Sequence, residues 1–296
     1  MAMSPWRGHP RFLPAVSSAV SRPLLRQSCR LSFDRMTASR RAGVLQDATY
    51  PQIRDRRWPV ALLPFGATEP HNTHLPYGTD TILGGEVAAR VAAACLARGT
   101  HVVALPAIPF GVNTTQLDLP LTINVMPSTQ LAILRDVVKS LEPHGVRGLV
   151  LLNAHGGNEL RALVRELQPE TRLMLAIVNW WQAADQTVFA EPGDHAGELE
   201  TAAMMHVAPH LVAPDRTQWG DGRTNPSTLE GVRTGVAWMP RRWTQATVDT
   251  GVGNPRAANA ESGAAFIDQA VVRIASFCCE LAVADPQQLW GPAASS

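Results

Sequence analysis

Acidic and imidazole side chains are concentrated in the segment 66–81, which reads GATEPHNTHLPYGTDT. Glu69 and His71 are two residues apart, so in an extended chain their side chains lie on the same face. Asp80 falls in the first turn of a predicted helix, where the helix dipole favours a carboxylate. Carboxylate oxygens and imidazole nitrogens, without a thiolate, suit zinc, manganese or iron. The segment predicts a metal site, and a merely solvated acidic loop is the alternative.

A second polar motif, NAHGGN at residues 153–158, directly follows an apolar run. Its glycines permit a tight turn, and the amides that begin the next predicted helix would face the same cleft. We expect His155 to be a metal ligand and Asn158 to orient the substrate. The alternative is that His155 only caps the helix.

A third motif, GDHAGELET at residues 193–201, leads into another predicted helix. At about 100° per residue, Glu198 and Glu200 lie about 200° apart around that helix, so at most one of them reaches a site easily. Either glutamate has an alternative role as a first-turn acid that interacts with the helix dipole. His195, just ahead of the helix, is a candidate for proton transfer.

The elements that must position these motifs alternate between apolar strands and helices. This alternation predicts βαβ units and a three-layer α/β/α sandwich with a mostly parallel central sheet. Ligands of open parallel sheets bind beyond the carboxyl ends of the strands, where the first two motifs lie. The predicted strands span residues 60–65, 101–108, 148–153 and 172–179, and the predicted helices span 79–98, 128–141, 159–167, a segment from about 197, and 258–281.

Two further features concern the substrate. Trp180 follows the fourth predicted strand, and we expect it to form an apolar wall of the site, with burial in the core as its alternative role. Residues 214–255 are rich in Gly, Thr, Arg and Trp and lack periodicity. We interpret them as a loop-and-hairpin excursion of the kind that often covers an active site.

Charge and cysteine content limit the partners and the compartment. The formal net charge is +1, which gives no reason to expect nucleic acid or an anionic membrane as a partner. The four cysteines show no CxxC spacing, so free thiols and a cytoplasmic location are expected. Residues 41–296 are predicted to be one catalytic domain. Residues 1–40, with arginines and serines but no acid before Asp34, are interpreted as a disordered leader or as a mis-assigned start with translation from Met36.

Taken together and in this order, the three motifs resemble those of the creatininase (creatinine amidohydrolase) family. The matched blocks are Glu-x-His…His-Leu-Pro-x-Gly-Thr-Asp, Asn-x-His-Gly-Gly-Asn and Gly-Asp-His-Ala-Gly-x-x-Glu-Thr. The resemblance implies an α/β/α sandwich that binds two divalent metal ions (Zn, Mn or Fe) and assembles as a homo-oligomer, commonly a hexamer. It also implies that Glu69 and His155 bind one metal, that His71 binds the other, and that Asp80 bridges them.

The second motif departs from the family pattern at Gly157, where creatininase has a glutamate that binds the second metal. Another acid must then supply this ligand, and Glu200 is the first choice. Glu198 is the second choice and is otherwise assigned, with His195, to the catalytic residues.

The resulting hypothesis is a metal-dependent amidohydrolase that cleaves a non-peptide C–N bond of a small cyclic or formyl amide with metal-activated water. The first alternative is a metal-dependent hydrolase or isomerase of a keto-sugar or cyclitol. The second is a metal-stabilised binding or scaffold protein without turnover, which the glycine at position 157 favours.

Overall fold

Four parallel strands form the central sheet in the computed structural model, which describes residues 43–291. The leader predicted at residues 1–40 lies outside the described residues. The strands run in the order β2-β1-β3-β4. The central strands β1 and β3 are buried along their whole length, as their uninterrupted apolar sequences predict. The strands are β1 (Val60–Phe65), β2 (Val102–Ala104), β3 (Gly148–Asn153) and β4 (Met174–Asn179).

Helices connect the strands and cover both faces of the sheet. Successive residues of β1 point to opposite faces: Val60 and Leu62 join one apolar cluster, and Ala61 and Leu63 join another. The first cluster includes side chains of α2, α5 and α8, and the second includes side chains of α3 and α4. The predicted three-layer α/β/α sandwich is confirmed. The helices are α1 (Tyr50–Arg54), α2 (Thr79–Ala97), α3 (Pro127–Leu141), α4 (Leu160–Leu167), α5 (Glu198–Val207), α6 (Glu230–Arg233), α7 (Trp243–Ala246) and α8 (Ala260–Val283).

The register of the sheet places two of the polar motifs side by side. Phe65 at the end of β1 pairs with Asn153 at the end of β3. The chain segments that follow these two residues therefore leave the same edge of the sheet next to each other. This arrangement brings the segments that carry Glu69 and His155 together, although the two residues are far apart in sequence.

Two sequence expectations about irregular segments need correction. The strand predicted at 101–108 ends at Ala104, because Pro106 has no N–H to continue the ladder; the segment resumes pairing through the N–H of Ile108, which donates to the Pro64 carbonyl at 2.9 Å. The hairpin predicted within 214–255 is reduced to a single antiparallel bridge between Thr224 and Thr247, and the short helices α6 and α7 interrupt this stretch.

Cys95, Cys278 and Cys279 are free thiols, in agreement with the prediction from cysteine spacing. None of the helices in the described part of the chain is long and apolar enough to cross a membrane.

Candidate metal centre

Glu69, Asp80 and His155 form the first of two overlapping donor sets at the carboxyl edge of the sheet. The Nδ1 atom of His155 lies 2.9 Å from Glu69 Oε1 and 3.2 Å from Asp80 Oδ2. All three side chains are buried. One donor atom from each lies within 4.8 Å of the others, which is close enough for all three to bind one metal ion.

His71, Asp80 and Glu200 form the second donor set, with their donor atoms also within 4.8 Å of one another. The Nε2 atom of His71 lies 3.0 Å from Asp80 Oδ1. The two oxygens of Asp80 therefore face different histidines, His71 from one and His155 from the other. This is the geometry that a carboxylate needs in order to bridge two cations.

Two buried carboxylate oxygens in this cluster support a cation site. Glu69 Oε1 and Asp80 Oδ2 have no partner among the described residues apart from the His155 ring. When His155 Nδ1 carries no proton, both oxygens would be buried without a hydrogen bond, which carries a desolvation penalty, and a bound cation would remove that penalty. The residues present therefore fit the pair of divalent metals that the family resemblance implies.

Backbone carbonyls fix the orientation of both imidazole rings. His71 Nδ1 lies 3.0 Å from the Glu69 carbonyl oxygen, and His155 Nε2 lies 3.2 Å from the Val112 carbonyl oxygen. An N–H donated to each carbonyl leaves the lone pair of the opposite ring nitrogen, which lies near the carboxylates, free to bind a metal, as is usual for metal-binding histidines. A buried Gln116 side chain also donates through Nε2 to Glu69 Oε2.

Glycines allow the His155 ring to be packed this closely. A Cβ atom at Gly157 would lie 2.3 Å from the Val112 carbonyl oxygen and 2.4 Å from His155 Nε2, and one at Gly111 would lie 2.7 Å from His155 Cδ2. Both positions therefore exclude any side chain while His155 keeps its place. A glutamate at position 157, as in the family pattern, would therefore collide with the Val112 carbonyl and the His155 ring.

The carboxylates of the cluster shift the pKa of both histidines. Burial alone would lower the pKa of His71, but Asp80, Glu200 and Glu69 together raise it to about 10. The pKa of His155 is likewise raised well above its ordinary value, because Glu69 and Asp80 outweigh burial. Burial raises the pKa of Glu200. Without a cation, both imidazoles therefore hold their protons more tightly than an ordinary histidine does.

His195 lies beside both donor sets. Its Nε2 lies 2.9 Å from the Pro70 carbonyl oxygen, and its Nδ1 lies 3.8 Å from Glu69 Oε1. Its ring lies 4.2 Å from the His71 ring, centre to centre, and 5.3 Å from the indole of Trp243. Donor atoms of His195, Glu69 and His71 also lie within 4.8 Å of one another. The residue is thus placed for proton transfer, and its distance from the donors also permits a role as a ligand.

Two of the predicted site residues, Glu198 and Trp180, have partners elsewhere in the protein. Glu198 Oε2 accepts a hydrogen bond from the Glu191 backbone N–H at 2.9 Å, and Glu198 belongs to none of the metal-binding groups among the described residues. Trp180 is 1% exposed and packs against Phe266 at 5.8 Å between ring centres. Its position in the core does not support a role as a substrate wall, and the position of Glu198 does not support a catalytic role.

Asn158 is engaged on both sides of its amide by the protein itself. Its Oδ1 accepts from Gln130 Nε2 at 2.8 Å and from the Val112 N–H at 3.2 Å, and its Nδ2 donates to Asn153 Oδ1 at 3.2 Å. A side chain with these bonds ties the loops together and has little capacity left for a substrate. These hydrogen bonds do not support the substrate-orienting role predicted for Asn158.

An open cleft of about 280 Å³ gives access to the first donor set. Glu69, His155 and His195 contribute to its wall, together with the segments 112–116 and 238–243. The sequence did not identify the side chains of these two segments as part of a site, because both are irregular and neither carries a motif. Only the tertiary structure brings them to the carboxyl edge of the sheet.

The fold and the cluster together define an α/β protein with a candidate centre for divalent cations at the edge of its sheet. A family model described as creatinine amidohydrolase (Creatininase) matches residues 46–278. The chain belongs to the creatininase family, as its motifs predict, and it is a hydrolase of that family.

Two relatives differ in the activity that their names give. The chain is 32% identical over 245 residues to the mycofactocin precursor peptide peptidase of Mycobacterium ulcerans (strain Agy99), a match that covers 79% of this chain and 91% of the relative. A crystal structure from Bacteroides fragilis NCTC 9343, provisionally assigned as a creatinine amidohydrolase, is 39% identical with a TM-score of 0.79 and covers 83% of this chain and 98% of that one. The cleavage of a non-peptide C–N bond therefore stays a prediction.

Solved creatininases share the fold of this chain at lower identity. One is named as a Zn-Zn form, with 22% identity, a TM-score of 0.66 and coverage of 82% of this chain and 99% of that chain. Another is named as a Mn form, with 21% identity, the same TM-score and coverage of 82% and 100%.

Proposed function

We propose that this chain is a metal-dependent amidohydrolase that cleaves the amide C–N bond of a small substrate. The position of Asp80 between His71 and His155 is the observation that carries the proposal, because a carboxylate with two histidines on its two oxygens suits a pair of cations. Glu69 and His155 would complete one cation site. His71 and Glu200 would complete the other. Bound cations would supply an activated water and polarise the substrate carbonyl.

Side chains of the protein itself would orient the substrate and handle the proton. His195 donates through Nε2 to the Pro70 carbonyl, so Nδ1 is the atom that faces Glu69 and the cleft. An imidazole at this place is suited to give a proton to the leaving nitrogen. Trp243, which is 5% exposed, packs edge-on against His195 and holds the ring in this orientation.

Two classes of substrate are compatible with the cleft. A short peptide is favoured by the relative named as a precursor peptide peptidase and by the exposed Trp238 and Met239 at the cleft, which give a longer substrate an apolar surface to contact. A cyclic or formyl amide is favoured by the description of the family model. Zinc and manganese are the first metals to test, because solved creatininases are named with them. A homo-oligomer in the cytoplasm stays a prediction.

Metal reconstitution tests the proposal. Protein freed of metal with a chelator would be reloaded with Zn²⁺ or Mn²⁺ and offered short peptides, cyclic amides and formamides. We expect hydrolysis that depends on the cation and that falls at least about a thousandfold in Asp80→Asn, because loss of the bridging charge removes much of the electrostatic stabilisation. Glu170→Gln, a change at an exposed acid paired with Arg135, is the matched control. Full activity in Asp80→Asn, or in the chelated protein, would overturn the proposal.

A further inference from the structure

Arg241 is the one arginine or lysine of the described residues that lines the cleft. Its guanidinium carbon lies 4.8 Å from the centre of the Trp243 ring, and the same indole lies 5.3 Å from the ring of His195. A cation stacked on an aromatic face is held in a defined plane. Arg241 therefore contacts the same indole as His195, the histidine proposed to protonate the leaving nitrogen.

Hydrogen bonds hold the Trp243 side chain on which Arg241 stacks. The indole Nε1 of Trp243 donates to the Thr250 carbonyl at 2.9 Å, and its backbone N–H donates to the Thr115 carbonyl at 3.0 Å. Trp243 is thus tied to two separate segments of the chain. The surface on which Arg241 stacks is therefore held in place by the fold.

The partner of Arg241 leaves most of its guanidinium available. Nη2 donates to Asp194 Oδ2 at 3.0 Å, and both side chains are about half exposed, at 51% and 61%. An ion pair with this exposure contributes little to stability. The Nε and Nη1 atoms of Arg241 make no hydrogen bond within the described part of the chain. At the cleft, Arg241 therefore has one guanidinium nitrogen in an ion pair and two nitrogens available to a ligand.

We propose that Arg241 binds a carboxylate on the leaving group of the substrate. A guanidinium matches a carboxylate in shape and charge and can bind both of its oxygens. Arg241 and His195 line the same cleft and both contact the Trp243 ring, which places the carboxylate near the nitrogen that His195 protonates. This inference rests on the proposed function and names its substrate class, which is an amide whose amine part carries a free carboxylate, such as a peptide with a free C-terminus.

The reaction that follows is an ordinary hydrolysis. The oxygen of water joins the acyl carbon, the C–N bond breaks with its electron pair on nitrogen, and a proton reaches that nitrogen. The products are a carboxylic acid and a free amine that keeps the carboxylate bound by Arg241. Asp194 competes with the substrate for the guanidinium, so its charge sets how tightly the carboxylate binds.

A matched pair of probes tests the subsite. N-acetyl-Ala-Ala-Phe, with its free C-terminal carboxylate, would be compared with the same peptide as its C-terminal amide, using metal-loaded protein. We expect kcat/KM to be at least tenfold higher for the acid. In Arg241→Met the acid should lose this advantage through KM while the amide is unaffected, and Arg241→Lys should keep part of it. Asp194→Asn should increase binding of the acid. Arg223→Met, a change at an exposed arginine paired with Asp221 outside the cleft, should change neither substrate.

Equilibrium binding of the same two peptides, measured by calorimetry, separates failure of the subsite from failure of the proposed function. If the protein hydrolyses both peptides and neither wild type nor Arg241→Met distinguishes them, the carboxylate subsite is refuted while amide hydrolysis stands. If nothing is hydrolysed but the acid binds at least tenfold more tightly in a manner that Arg241→Met abolishes, the subsite stands and the function fails. An equal loss for both peptides in Arg241→Met would show a structural role and would also refute the subsite.

Discussion

Metal binding in this cluster should be strongly coupled to pH. The pKa of His71 is about 10 in the metal-free protein, because Asp80 and the neighbouring glutamates outweigh the effect of burial, and the pKa of His155 is raised as well. A histidine must lose its proton to bind a cation. Each cation should therefore displace about one proton throughout the range from pH 7 to 8, and its Kd should rise about tenfold when the pH falls by one unit, or about 1.4 kcal/mol.

The size of this effect distinguishes the cluster from ordinary histidines. A histidine with its usual pKa of about 6.5 is already mostly neutral above pH 7, and its Kd would change only about 1.3-fold over the same unit. The assay is titration of metal-depleted protein with Mn²⁺ at pH 7 and pH 8, with free Mn²⁺ measured by electron paramagnetic resonance. Calorimetry in two buffers of different ionisation enthalpy would count the released protons directly.

The control for this experiment is His144→Gln, a change at an exposed histidine near the opposite end of β3. It should leave the pH dependence unchanged. A steeper dependence for the second cation would indicate a proton on Glu200, whose pKa burial raises. A change in Kd of less than about twofold between pH 7 and 8 would refute the raised pKa values inferred for His71 and His155.

Three further changes test the packing around the cluster and its surface. Gly157→Ala should weaken binding of the cation held by His155 at least about tenfold in a Mn²⁺ titration, because its Cβ would meet the His155 ring and the Val112 carbonyl that orients it, whereas Gly156→Ala, which has open space, should have no effect. Burial and the charge of His71 lower the pKa of His74 to about 4. Because the pKa of His74 is lower in the folded than in the unfolded state, its contribution to the unfolding free energy is present above about pH 6.5 and is lost toward pH 4. In urea unfolding, His74→Phe should therefore lose less unfolding free energy than wild type as the pH falls over this range. Leu121 is 84% exposed, and if it lies in a contact between copies, Leu121→Asp should lower the molar mass seen by light scattering, while an unchanged mass would exclude that contact.

The sequence predicted the buried strands better than the irregular ones. The bounds of β1 and β3 were predicted to the residue, because an uninterrupted apolar run in a parallel sheet has a clear beginning and end. β2 was predicted too long, since its apolar sequence continues past the point where Pro106 breaks the ladder. The hydrophobic pattern alone does not show where a proline removes a backbone N–H donor.

For the candidate site, too, the sequence could place the residues that follow regular strands but not those in irregular segments. Motifs that follow β1 and β3 could be placed at one edge of the sheet from the sequence, since parallel strands bring their carboxyl ends together. Gln116, Arg241 and Trp243 could not be placed there, because they come from irregular segments whose positions depend on tertiary contacts. Trp180 illustrates the opposite error: its place after a strand suggested the cleft, but its large apolar surface is buried against Phe266.

The most informative departure from the family pattern is the source of the second cation's carboxylate. Gly157 cannot carry the family's glutamate here, because a Cβ at that position would lie 2.3 Å from the Val112 carbonyl oxygen. Glu200 on α5 is instead brought to His71 and Asp80, and the Ala196 N–H donates to its Oε2 at 2.6 Å. We infer that Glu200, at the start of α5, supplies the carboxylate ligand that the family pattern places in the loop after β3.

This replacement makes a sharp prediction about metal stoichiometry. Glu200→Gln should reduce bound Mn²⁺ from about two equivalents to about one per chain, because the second site then keeps only one full carboxylate ligand. Glu198→Gln is the matched control on the same helix and should keep two equivalents, since Glu198 Oε2 faces the Glu191 N–H. Adding Gly157→Glu to the Glu200→Gln variant should fail to restore the second cation, because the new side chain cannot enter without displacing His155. Two equivalents in Glu200→Gln, or restoration by Gly157→Glu, would show that the second carboxylate comes from elsewhere.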